Sequence, residues 1–96
     1  YYYDNIMTIS KSHTLSFTVP RDIKLKLEAI THTGHYDSMS EFLRDAIRTH
    51  LSNNKDLRIS LAHYLHKEGK IPMGKAAEII GESIKDTKEL FKEREF

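Results

Sequence analysis

Six histidines are the residues of this 96-residue chain best equipped for metal or proton chemistry. His63 and His66 stand three apart, and His32 and His35 bracket Gly34. An i, i+3 spacing on a helix lets two imidazoles share a metal. A working site needs a third or fourth ligand and supporting hydrogen bonds. The chain has no cysteine to supply one. No metal site is expected, and the histidines read as surface residues. Ser, His and Asp all occur, without a spacing that sets a nucleophile beside its base. The four glycines, Gly34, Gly69, Gly74 and Gly81, are dispersed and mostly mark helix ends rather than a phosphate-cradling loop. Glu and Asp alternate with Lys on helical faces, as on a solvated surface. The chain is not expected to be an enzyme, and no cofactor is implied.

The other side chains arranged for chemistry are hydroxyls. Thr14-Leu-Ser-Phe-Thr-Val-Pro20 alternates strictly. On a strand, Leu15, Phe17 and Val19 face one way, and Thr14, Ser16 and Thr18 the other. Phe, Val and Thr suit an extended chain, and Pro20 ends the run. No other stretch reads as a strand, so its backbone groups need a partner. The simplest one is the same strand of a second copy, antiparallel across a two-fold axis. Such a ribbon has one apolar face and one hydroxyl face, and it fits the DNA major groove, where Ser and Thr can bond base edges.

Length allows one domain, or a small domain with an appendage. The hydrophobic fraction of 39% and charged fraction of 30% fit a soluble, largely helical protein. No apolar run reaches membrane length, and the absence of cysteine makes a cytoplasmic setting the default. Net charge is only +1, so bulk charge cannot drive nucleic-acid binding. Locally, Lys11, Arg21, Lys24 and Lys26 face Asp22 alone, while residues 55–96 are nearly neutral. Residues 1–12 read as a flexible tail. Met7-Thr8-Ile9-Ser10 resembles a natural start, which leaves open whether residues 1–6 are native.

The positioning elements are helical. Pro20 and Asp22 open a helix over about Arg21 to Thr33, carrying Ile23, Leu27 and Ile30 on one face, with Gly34 as its stop. Ser38-Met-Ser-Glu41 is a capping box for a second helix, reaching about Leu51, with Phe42, Leu43, Ala46, Ile47 and Leu51 as its apolar stripe. Ser52-Asn53-Asn54 is a polar break. A third helix over about Asp56 to Lys67 has Leu57, Leu61, Tyr64 and Leu65 as its apolar face. Pro72 begins a fourth, with Met73, Ala76, Ala77 and Ile80 inward and Gly81 as its stop. Ser83, with Asp86 three residues on, caps a fifth. The last two helices and their turn have helix-turn-helix spacing.

Residues 14–51 resemble the ribbon-helix-helix superfamily of DNA-binding proteins. The resemblance rests on the alternating strand, the short helix closed near Gly34, and the run Tyr36-Asp-Ser-Met-Ser-Glu-Phe-Leu-Arg-Asp-Ala-Ile-Arg48. It implies a mainly α fold in which one β-strand per subunit forms an intermolecular antiparallel ribbon. The homodimer core would be Leu15, Phe17, Val19, Phe42, Leu43, Ala46 and Ile47. Thr14, Ser16 and Thr18 would contact bases, and Lys11, Arg21, Ser38, Met39 and Ser40 would contact phosphates, since helix N-termini attract anions. Thr14 and Met39 stand where such proteins often carry cations, so modest affinity or cooperative binding of several dimers is expected.

Residues 64–94 resemble a family of small prokaryotic proteins regarded as antitoxins, through Lys67-Glu-Gly-Lys-Ile-Pro-Met-Gly-Lys-Ala-Ala-Glu78. The start of the fifth helix offers Ser83, Ile84, Lys85, Lys88 and Glu89, with Glu82 beside it; two acids and an exposed Ile are a poor lining for a phosphate groove. The C-terminal unit, residues 55–96, is expected to bind a protein, with Leu90, Phe91 and Phe96 as apolar anchors, or simply to pack as a stabilising appendage. The expected partners are double-stranded DNA, a second copy and a cognate toxin. The expected function is operator binding by residues 13–52 of a homodimeric repressor in a toxin–antitoxin operon. The alternative is a protein-interaction dimer with little or no DNA binding.

Overall fold

A computed structural model describes residues 13–95. It contains α1 (Arg21–Ile30), α2 (Met39–Ser52), α3 (Lys55–Lys67), α4 (Met73–Ile80) and α5 (Ile84–Glu93). There is no strand or sheet among the described residues, which overturns the expected ribbon-helix-helix fold. The Thr14–Val19 stretch is outside every helix and every ladder, and Leu15 and Phe17 are 87% and 63% exposed. The reason is physical. Alternation suits a chain to a sheet, but a strand exists only through ladder hydrogen bonds to a neighbour. No second extended run is present among the described residues to supply them.

Each helix starts where local chemistry places it. Pro20 precedes α1, and its carbonyl accepts from the Lys24 N–H at 3.1 Å. The helix stops at Ile30, short of the expected Thr33. There the Thr31 and Thr33 hydroxyls donate to the Glu28 and Ile30 carbonyls, each at 2.7 Å. Such local bonds compete with helix continuation. Ser38 Oγ accepts from the Glu41 N–H at 3.1 Å, and Glu41 Oε1 accepts from the Asp37 N–H at 2.9 Å. This is a capping box whose return arm reaches one residue further out than the usual pattern. Asn54 Oδ1 caps α3 through the Leu57 N–H at 3.1 Å, and Ser83 Oγ caps α5 through the Asp86 N–H at 3.0 Å. Gly81, at φ 88°, occupies the left-handed conformation that lets the chain turn sharply between α4 and α5.

The core lies entirely in α3 to α5. Ile59, Ala62, Ala76, Ala77, Ile80 and Phe91 are buried with Thr87. Ala62 and Ala76, both fully buried, let α3 and α4 approach closely. Neither α1 nor α2 contains a buried residue. The buried side of α3 is also not the expected one. Ile59 and Ala62 face inward, whereas Tyr64 is 61% exposed and Leu57 38%.

Candidate nucleic-acid interface

The hydroxyls of the extended segment are accessible. Thr14, Ser16 and Thr18 are exposed, as are Arg21 and Ser40. The segment lies over the first two helices. Leu15 to Val19, Lys24, Leu27, Glu28, Met39 and Leu43 line one open, largely apolar groove. Met39 is half-buried there, so its side chain serves packing. Its backbone N–H and that of Ser40 are first-turn donors of α2, which lack an acceptor within their own helix. The Glu41 carboxylate stands beside them on the Asp37 N–H, and its charge opposes a phosphate there. Ser38 is exposed, with its Oγ already accepting from the Glu41 N–H; Lys11, the last of the phosphate candidates, lies outside the described residues.

The expected dimer core is not a core within one chain. Val19, Phe42, Leu43 and Ala46 are half-buried, and Leu15, Phe17 and Ile47 are exposed, Ile47 by 58%. The expected protein-binding anchors are separated. Phe91 is 4% exposed and belongs to the α3–α5 core, so it cannot be an anchor for a partner. Leu90 is half-buried against that core. Phe96 lies outside the described residues.

Tyr36 closes the turn onto α2. Its hydroxyl donates to Asp45 Oδ2 at 2.5 Å, and its ring meets Phe42 edge-on, with centroids 5.2 Å apart. The hydrogen bond to Asp45 raises the tyrosine pKa above its ordinary value, helped by desolvation and by the negative charges of Asp45 and Glu41. Sequence reasoning used Tyr36 only as the start of the run to Arg48 that carries the family resemblance, and gave its hydroxyl no partner. The nine-residue separation from Asp45 has no helical period to reveal it.

Arg58 was also missed. Its guanidinium donates to the carbonyls of Leu51 and Ser52, both at 2.8 Å, and of Ile80 at 3.1 Å. One side chain thus holds the C-terminal ends of α2 and α4, where carbonyls lack helical partners and a cation is favoured. Arg94 joins the ends of the C-terminal unit in a similar way, donating to Ser60 Oγ at 3.1 Å and Asp56 Oδ1 at 2.5 Å.

The histidine pair is not superficial. His63 and His66 lie against Phe91, at 4.9 and 6.0 Å between ring centroids. His66 Nδ1 is 3.0 Å from the Ile71 carbonyl. His63 Nε2 is buried without a hydrogen-bond partner, 3.6 Å from Glu95 Oε1. No group of three or more potential metal ligands occurs among the described residues. No helix among them is long and apolar enough to cross a membrane.

No family model matches the chain, and no solved structure does. A UPF0175 protein of Halobacterium salinarum is 31% identical over 68 residues, which span 71% of this chain and 69% of that protein. A likeness of that extent joins the two along most of their lengths, and the chain belongs to the UPF0175 family.

Proposed function

We propose that this chain is a homodimeric, sequence-specific DNA-binding repressor, an antitoxin that regulates its own operon. The observation that carries the reading is the condition of residues 13–52. This region has no buried residue, yet Leu15, Phe17, Ile23, Leu25 and Ile47 are exposed within it. Apolar side chains left in water on this scale favour association, and a second copy is the simplest cover. Beside them stand the exposed hydroxyls of Thr14, Ser16 and Thr18 and the cations Arg21, Lys24 and Lys26. Hydroxyls address base edges, and cations with the first N–H groups of α2 address phosphates. The C-terminal unit, with a core of its own, then serves the toxin.

A second reading is a toxin-binding or adaptor dimer with little affinity for DNA. Its support is the uncharged Thr14, the packed Met39 side chain and the Glu41 carboxylate beside the α2 N-terminus. One titration separates the two. The full chain is titrated with the DNA upstream of its own gene and with scrambled duplex, at two salt concentrations. A preference for the upstream DNA that persists at higher salt is the expected result. Equal, weak binding to both duplexes would displace the repressor reading in favour of the second.

A further inference from the structure

The end of α2 meets α3 and α4 around one open groove. Leu51, Leu61 and Ile79, all half-buried, give it apolar walls, and Arg48 and Arg58 give it two guanidinium groups. No carboxylate lines it. Other grooves of the molecule differ in this respect. The one beside Tyr36 includes Glu41 and Asp45, the one at the extended segment includes Glu28, and the one along α5 includes Asp86, Glu89 and Glu93. Acids and cations are nearly equal in number along the chain, 14 against 15, so overall charge does not account for two arginines without an acid. We propose that this groove binds an acidic, apolar segment of a partner protein. An aliphatic or aromatic side chain of that segment rests on Leu51, Leu61 and Ile79, and a neighbouring Asp or Glu carboxylate meets Arg48. The proposal rests on the partner-binding role given above to the C-terminal unit, and it names the surface and the chemistry of that contact.

The two arginines have different duties. Arg58 is half-buried and donates to the Leu51, Ser52 and Ile80 carbonyls. Its charge offsets the negative ends of α2 and α4, which would otherwise repel a carboxylate. It also fixes the walls relative to one another before a ligand arrives, which lowers the ordering cost of binding. Arg48 is exposed and enters no ion pair among the described residues. Its planar fork is therefore available to a carboxylate, which it can hold through two parallel hydrogen bonds. Other occupants fit less well. A second copy that set this groove against itself would confront like charges. A nucleic-acid backbone calls for a run of cations, whereas one free arginine stands here beside three apolar walls. A small carboxylate would remain largely in water in so open a groove.

The test is selection of a random-peptide display library on the full chain. Wild type should enrich Asp or Glu within a few residues of Leu, Ile or Phe. Arg48→Glu should reverse the charge preference and enrich Lys or Arg beside the same apolar residues. A misfolded variant loses binding but does not invert a preference, so the reversal is diagnostic. Arg44→Glu makes the same change of net charge at an exposed arginine outside the groove and should select as wild type does. A resynthesised wild-type peptide should bind Arg48→Ala about tenfold more weakly by fluorescence anisotropy, the loss of one charge-assisted contact at an open site. Enrichment without an acidic preference, or one that Arg44→Glu shifts equally, overturns the groove and leaves the partner-binding role to another surface. A wild-type oligomer that Arg48→Glu dissociates would put a second copy in the groove. Loss of DNA binding in Arg48→Glu, with no acidic peptide enriched, would put nucleic acid there. Either result overturns the proposal, and the DNA titration above decides the repressor reading separately.

Discussion

The two halves of this molecule have solved the problem of apolar surface differently. Residues 55–93 fold three short helices around Ile59, Ala62, Ala76, Ile80 and Phe91, all at most 7% exposed. Residues 13–52 have comparable helix-forming signals and comparable amphipathic patterns, but bury nothing completely. Helix formation and core formation are therefore separate achievements here. Caps and spacing suffice for the first; the second needs a third surface to close the space between two helices. The C-terminal unit finds that surface within one chain. The N-terminal region has only an extended segment to offer, and Phe17 remains 63% exposed on it.

This contrast can be broken most forcefully at Phe91. Truncation by Phe91→Ala should cost about 3–5 kcal/mol, as deletion of a buried aromatic side chain usually does. Chemical denaturation would detect the loss, and a cost below about 1 kcal/mol would mean that the C-terminal core is softer than its burial implies. The corresponding change in the other half, Phe17→Ala, should weaken association rather than folding of a single chain. The expected sign is a dimer dissociating at about tenfold higher concentration, with little change in helix content by circular dichroism. Equal loss of helix in the two variants would erase the distinction.

Smaller effects sharpen it. Ser38→Ala removes the oxygen that accepts the Glu41 N–H and should cost about 1 kcal/mol. Hydrogen exchange should locate that loss at the start of α2, with the amides of α4 and α5 unchanged. The weakest effect concerns pH. Tyr36 has its pKa raised above 10.0 in the folded chain, chiefly by the hydrogen bond to Asp45. The folded state therefore holds that proton more tightly than the unfolded state. Its contribution to stability is complete below pH 10.0 and is lost as pH rises through the higher folded value. Wild-type protein should lose thermal stability across that window more steeply than Tyr36→Phe; parallel curves would show that the bond to Asp45 has no part in stability.

What was legible in the sequence follows from the range of the forces involved. Ser38 with Glu41, Ser83 with Asp86, and Gly81 act within four residues, and each marks a helix boundary where the sequence places it. The inward face of α3 was misread because both sides are apolar. Bulk favoured Leu57, Leu61 and Tyr64, yet the side that packs on α4 has Ala62, whose small size permits close approach. Hydropathy rewards large residues and is blind to that advantage. The alternation of Thr14 to Val19 describes only what a chain could do if given a neighbour; it does not supply the neighbour. For the candidate interface, Thr14, Ser16 and Thr18 are exposed, and exposure alone assigns them no role, while Phe91 was taken for an anchor because amphipathic spacing does not say how deep a face will lie. Tyr36 with Asp45 and Arg58 with the Leu51, Ser52 and Ile80 carbonyls join residues that share no helix, and one class of partner is backbone, which every sequence has everywhere.

Arg58 also bears on how motion passes through the chain. Asn53 and Asn54 form a two-residue connection between α2 and α3, which on its own would act as a swivel. The guanidinium spans it, gripping the last carbonyls of α2 with one nitrogen and that of α4 with another. Rotation at the connection must stretch both grips together, so the joint behaves as a braced corner. A load applied to α4 is felt at the end of α2 without passing through the loop. The molecule thus has two unequal halves but a single lever arm.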